Sequence, residues 1–134
     1  MNDRYLYRAK QIDNGEWVEG LTSYNERGEI AEIEVHRKEF LNYFCEIDQS
    51  TICQCTGLKD KNGKLIWEND IIKHYNDTSH PDKYDKGIVR WNDFNIRFER
   101  YSTEMKGNVC MNRDCVYEVI GNIFDNPELL EVGE

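Results

Sequence analysis

Proline is scarce in this chain, with two residues in 134, and no apolar run approaches the ~18 residues that a membrane-spanning helix requires. Basic charge is also short. Lys and Arg number 17 against 26 Asp and Glu, for a net charge of −9. Phosphate backbones are bound by cations that displace condensed counterions, so a surface this acidic predicts no non-specific nucleic-acid binding. The P-loop, G-x-G-x-x-G, G-x-S-x-G and H-E-x-x-H patterns are all missing, which removes the most readily recognised nucleotide-binding, hydrolase and zinc-protease chemistries. The opening Met1-Asn2-Asp3-Arg4 lacks the charged-then-apolar layout of a secretory leader, giving a cytoplasmic expectation. No internal repeat, low-complexity tract or linker divides the sequence, and one domain over 1–134 is expected.

What is present is a hydrophobic content of 39%, with 12% aromatic residues, enough for a packed core. The dominant period is two, the signature of strands with one buried face. Tyr5–Arg8 and Trp17–Leu21 read as a first strand pair turned by Asn14-Gly15. Phe40, Phe44 and Ile47 suit one face of a short helix, and the same segment allows a strand from Tyr43 to Ile47; periodicity leaves both open. Ile71–Tyr75 reads as a strand, and residues 76–86 as a loop. Ile88–Trp91 and Phe94–Phe98 read as a hairpin around Asn92-Asp93, and Val116–Ile120 as a strand. Asn126 is placed as an N-cap with Pro127 at the first position of a short C-terminal helical turn, where Glu128 suits the helix dipole. The fold class is therefore all-β with minor α.

The longest informative block runs Gln54-Cys55-Thr56-Gly57-Leu58-Lys59-Asp60-Lys61-Asn62-Gly63-Lys64-Leu65-Ile66-Trp67-Glu68-Asn69-Asp70-Ile71-Ile72. Asn62-Gly63 predicts a β-hairpin with a type I′ turn, since both residues tolerate positive φ. Tyr7-Arg8-Ala9 with Trp17-Val18-Glu19-Gly20 precedes it, and Val119-Ile120-Gly121-Asn122-Ile123-Phe124 with Asn126-Pro127-Glu128-Leu129-Leu130 follows. Together these blocks resemble the YopX-like proteins of temperate phages and integrated elements. Two positions depart from the pattern: Cys53 stands where a small residue such as Gly is usual, and Asn69 replaces the Gly before Asp70. Asn is the next most tolerant residue of left-handed backbone, so the turn is expected to survive. The resemblance implies several strongly curved sheets including an SH3-like barrel, a bacterial host cytoplasm, and no assigned activity. It marks Gln54, Thr56, Gly57, Leu58, Asp60, Gly63, Asp70, Gly121 and Asn122 as motif positions of unknown role.

Three side-chain groups invite chemical readings. Cys53-x-Cys55 and Cys110-x4-Cys115 supply four thiols, yet neither spacing is a zinc knuckle on both sides, and small apolar cysteines in a reducing compartment are the simpler reading. His74 and His80 are the further ligand candidates. Asp60, Glu68, Asp70 and Glu118 offer carboxylates for a cation or acid–base work. Asp60 and Asp70 are equally suited to bonding the backbone of adjacent turns, and Glu68 and Glu118 to facing solvent. Ser79-His80-Pro81-Asp82 has the residue types of a triad in a stretch that cannot supply its convergence. Arg90, Arg97 and Arg100, interleaved with Trp91, Phe94, Phe98 and Tyr101, look like a single-strand platform. The alternation of Phe94, Ile96 and Phe98 with Asn95, Arg97 and Glu99 favours a strand with a buried face instead. No catalytic, cofactor or metal residue is assigned. The leading expectation is a non-enzymatic SH3-like module that binds a protein or a second copy of itself. The alternatives are an acidic decoy for a host nucleic-acid-binding protein and a metal-dependent enzyme.

Overall fold

Eleven strands carry the chain in the computed structural model, which describes residues 5–35 and 43–130. They are β1 Tyr7–Lys10, β2 Trp17–Tyr24, β3 Ile30–Val35, β4 Tyr43–Glu46, β5 Cys53–Lys59, β6 Leu65–Trp67, β7 Asp70–Tyr75, β8 Asp85–Asn92, β9 Arg97–Ser102, β10 Gly107–Cys110 and β11 Val116–Asn122. Short 3₁₀ turns at Gln49–Thr51 and Pro127–Leu130 complete the elements. The chain divides into two compact units at the Cys55–Thr56 peptide.

In the first unit β4, β3, β2 and β1 form an antiparallel series, and the start of β5 pairs with β1 through Tyr7↔Gln54 and Arg8↔Cys53. Asn14-Gly15 does turn β1 into β2. Gly15 takes φ +71 and donates its N–H to the Gln11 carbonyl at 3.0 Å. Ala9, Ile33 and Ile47 are buried together, with Tyr7, Val18, Ile30, Val35 and Ile52 packed around them. The choice between helix and strand at Phe44 resolves to strand β4: Ile47 is buried and Phe44 lies largely in solvent, while Phe40 falls outside the described residues. A helical stripe would have buried both.

The second unit has its own sheet, in the order β10-β9-β8-β7-β11, and the hairpin between the end of β5 and β6. Ile66, Ile72, Val89, Met111 and Tyr117 form its core, with Leu58, Phe98, Cys115 and Val119 against them. Each fully buried aliphatic side chain there contributes roughly 1.5–3 kcal/mol. The five strands remain an open series with β10 and β11 at its ends, and no closed barrel forms among the described residues.

Three expectations are corrected here. The hairpin turn is not type I′, because Gly63 takes φ +81 but Asn62 is not among the positive-φ residues. Gly63 N–H donates to Asp60 O at 3.0 Å and Asp60 N–H to Lys64 O at 2.8 Å, a type I turn followed by a glycine bulge. Strand β9 begins at Arg97 rather than Phe94, because the Asn92 side chain turns the chain first and leaves Phe94 93% and Ile96 74% exposed. Asn126 does stand at the N-cap position before Pro127, its carbonyl accepting the Leu129 N–H at 3.0 Å, but its side chain does not cap the turn, because Oδ1 accepts the Asn122 N–H at 3.2 Å instead.

Candidate functional site

The motif positions gather mainly at turns and where strands are stitched together. Asp60 spends its carboxylate on backbone: Oδ1 accepts from Asn62 and Lys64 N–H at 2.9 Å each, and Oδ2 accepts from Val119 N–H at 3.0 Å. Burial pushes the Asp60 carboxyl up, but the bonds from Val119, Lys64 and Asn62 outweigh it, and the group sits below the usual Asp range. Thr56 Oγ1 donates to Ile66 O at 2.7 Å and accepts from Leu58 N–H at 3.0 Å, closing the same hairpin. Gly57 takes φ +81 in β5, and Leu58 packs on the core. Asp70 accepts the Trp67 N–H at 2.8 Å across the turn that holds Asn69 at φ +71, so Asn does take the left-handed place of the usual glycine.

Asn122 is the register partner of Asp70, and Gly121 that of Ile71. A Cβ at Gly121 would meet Asn126 Oδ1 at 2.6 Å, which accounts for glycine there. Asn122 Oδ1 accepts from Phe124 and Asp125 N–H. Gln54 lies in the first unit opposite Tyr7.

The other candidates are likewise occupied. Glu118 accepts the Tyr75 hydroxyl at 2.7 Å, and that bond, with burial, pushes the Tyr75 phenol up to about 12. Glu68 is half-buried, and also has interactions of its own. All five cysteines are free thiols: Cys45, Cys53 and Cys55 are buried, Cys115 is half-buried and Cys110 is exposed. Among the described residues no three His, Cys, Asp or Glu side chains come together to hold a metal. In the Ser79–Asp82 loop it is Asp77 that takes the Ser79 N–H and hydroxyl, while His80 Nε2 lies 3.8 Å from Asp77.

The proposed basic stripe does not exist as one. Arg100 is buried and paired through Nη1 with Asp85, whose carboxylate also accepts the Ser102 hydroxyl. His74 lies beside this pair, its ring 5.5 Å from that of Tyr117, and burial followed by the Arg100 charge lowers its pKa below the ordinary His value. His74 Nδ1 and Arg100 Nε are buried without hydrogen-bond partners.

What stands out instead is the loop between β8 and β9. Asn92 Oδ1 accepts from the Phe94 and Asn95 N–H groups at 2.9 and 3.0 Å, bending the chain as soon as β8 ends. Glu99, 1% exposed, anchors the loop from below. It accepts from Asn92 Nδ2 at 2.6 Å, Arg97 Nε at 2.7 Å and Asn95 Nδ2 at 3.1 Å, and the bonds from Asn92 and Arg97 hold its carboxyl below the usual Glu range. Trp91 donates its indole N–H to Asp93 at 2.8 Å and meets Phe98 edge-on at 4.9 Å. Within this frame Ile96 takes φ +53, a strained conformation for a β-branched residue. The result is a braced loop that holds Phe94 and Ile96 out in water beside a shallow cavity of about 320 Å³ lined by Arg90, Trp91, Phe94, Glu99 and Asn108 among others. Sequence reasoning missed this because Phe94-x-Ile96-x-Phe98 alternates as a buried strand would; the overlooked signal was Asn92, a side-chain turn former at the strand end.

An all-β protein of two antiparallel units, with its motif residues used as turn and stitching groups, is the class these features define. The family profile described as YopX protein matches residues 6–131, and the chain belongs to that family. The crystal structure of protein EF1440 from Enterococcus faecalis is similar, at 26% sequence identity over 93% of this chain and 96% of that one, with a TM-score of 0.55. No curated protein matches the chain.

Proposed function

We propose that the protein is a non-enzymatic accessory module of a phage or prophage that works in the host cytoplasm by binding a protein, and that the β8–β9 loop is its contact element. The observation that carries this reading is the pairing of exposure with bracing. Phe94 and Ile96 are 93% and 74% exposed, yet the loop under them is fixed by a buried carboxylate and three side-chain donors. Rigid apolar anchors lose little entropy on docking, which is how hot spots act. Backbone strain at Ile96 points the same way, since strain persists where surrounding structure over-determines it and clusters at functional sites. The β7–β10 meander, with β11 returning to β7, supports an SH3-like reading of the second unit. Its partner-presenting loops are an analogy at the level of fold. The acids that an enzyme would need are engaged in turns and strand stitching, which favours binding over catalysis.

A photo-crosslinking residue at position 94, compared with one at Thr78 in the 76–84 loop, tests the reading in host cells. Cross-linked protein adducts from position 94 and none from position 78 are expected. Equal labelling from both would refute the assignment of the loop.

A further inference from the structure

We infer that a cleft in the first unit takes a Lys or Arg side chain presented by a basic protein. The site lies apart from the β8–β9 loop, and the inference does not rest on the reading of that loop. Residues 10–12 run on from β1 and pair with the end of β4, through the Gln11↔Ile47 bridge and the Ile12 N–H, which donates to Glu46 O at 3.1 Å. Strand β3 pairs with β4 in turn. The cleft between these segments holds about 730 Å³, a size within the range of ligand sites, and Ile12 and Ile47 give it an apolar floor. Ile12 is 64% exposed there.

Glu32 and Glu46 line the same cleft as register partners on adjacent antiparallel strands, so their side chains share one face of the sheet. Because the Glu46 carbonyl is turned to Ile12, its pairing with Glu32 is of the non-hydrogen-bonded kind, in which facing side chains stand closest. Like charges set opposite each other on a sheet repel. Neither carboxylate has an ion pair or a side-chain hydrogen bond among the described residues. Lys10 is the one cation lining the cleft among the described residues, and its charge is shared between Asp48 and the Trp17 ring, whose centre lies 5.5 Å from Nζ. Asp48 is itself engaged by the Ser50 N–H and hydroxyl, at 3.0 and 2.7 Å. The facing glutamates are thus left as an uncompensated pair above an apolar floor.

The occupant that offsets this pair carries positive charge at its tip and apolar surface behind it. Lys and Arg side chains are built that way: their methylene stems cover apolar surface while the charged head stays at the polar rim. A guanidinium also presents several donors in a fixed fork that matches carboxylates. The net charge of −9 attracts a basic protein at long range, and it repels a second copy of this chain, a phosphate backbone and an anionic membrane alike. A bare metal ion is the poorer occupant, since no three His, Cys, Asp or Glu side chains converge among the described residues and the apolar floor would go unused.

Fluorescence anisotropy of the full chain with a dye-labelled peptide alternating Arg and Ala reads this, beside the same peptide with Gln in place of Arg. Saturable micromolar binding of the Arg peptide is expected, weakening several-fold between about 50 and about 300 mM salt, with no binding of the Gln peptide. Glu32→Gln/Glu46→Gln should weaken it by about tenfold or more, and Ile12→Ser by about threefold. Glu26→Gln/Glu104→Gln removes the same charge from exposed positions that do not line the cleft, and should keep wild-type affinity. Phe94→Ser should keep it as well. None of these positions is buried, so unchanged urea midpoints verify that the folds are intact. An Arg peptide that does not bind, a Gln peptide that binds equally, equal losses in the two double variants, or a loss in Phe94→Ser would each overturn the inference. Displacement of the peptide by spermidine at equal concentration would overturn it too, by making a small polyamine the occupant. Cross-linking from position 94 decides the role of the β8–β9 loop whichever way this titration falls.

Discussion

Asp60→Ala should be one of the costlier substitutions of a polar residue in this protein. The wild-type carboxylate satisfies three backbone N–H groups, at 2.9, 2.9 and 3.0 Å, and joins the β5–β6 turn to β11. Hydrogen bonds to a charged acceptor are each worth roughly 1.5–3 kcal/mol, but water can replace the acceptor at the exposed turn residues Asn62 and Lys64, so the half-buried Val119 N–H dominates the loss. A net cost of about 3 kcal/mol follows. With a urea slope of about 1.5 kcal/mol/M, the unfolding midpoint falls by about 2 M. Asp60→Asn separates the components: the amide oxygen can keep the two turn bonds while the amide nitrogen confronts the Val119 N–H, for a loss of about 1–2 kcal/mol. The acid dependence has a fixed sign. The folded-state pKa of Asp60 is depressed, so its contribution is fully present above the unfolded value of about 3.9 and is lost as pH falls through the folded value. The gap between wild type and Asp60→Ala should therefore narrow below about pH 4. Urea melts at several pH values check this; a midpoint unchanged near neutrality, or a gap that widens in acid, would refute the reasoning.

Other outcomes follow from the same structure. Gly63→Val should cost roughly 1–3 kcal/mol from backbone strain alone, since φ is +81 and a Cβ there meets nothing within 4 Å; an unchanged melting temperature would contradict it. His74 is buried with a depressed pKa beside Arg100, so the unfolded chain binds its proton first and stability should decline as pH falls from about 6.5 through the folded value. His74→Gln should flatten that decline in pH-dependent unfolding, and an identical profile would remove His74 as its source. Fluorescence anisotropy with random single-stranded or duplex DNA should give a flat titration at physiological salt, because Arg100 is buried in its pair with Asp85; micromolar binding abolished by Arg97→Glu would reverse that reading.

Local signals in the sequence were read most successfully where a side chain acts on its own neighbourhood. Asn14-Gly15 and Asn62-Gly63 marked hairpins because left-handed backbone restricts the residue choice, and Asp60 and Asp70 were recognisable as turn-bonding groups for the same local reason. Even there the type of turn escaped, since Gly63 alone meets the conformational demand when Asp60 holds the preceding residues in a type I turn. Long-range pairing was invisible. Arg100 finds Asp85 fifteen positions away, and Asp60 finds Val119 fifty-nine away, so neither burial nor partner could be inferred from charge. Phe94 and Ile96 were misread because period two describes both a buried strand and a braced loop with its apolar groups turned outward. Only the position of Asn92 distinguishes them.

The central claim is that Phe94 and Ile96 stand in solvent to meet a partner rather than to support the fold. The double variant Phe94→Ser/Ile96→Gly isolates it, because glycine relieves the strain at φ +53 and should hold stability at or up to ~1 kcal/mol above the wild-type level. Quantitative capture from host lysate, with wild type and double variant immobilised at equal folded amounts, is the most direct measurement. The wild type is expected to retain a specific protein and the variant at least tenfold less, about 1.4 kcal/mol of lost contact. Equal retention by the two would contradict it.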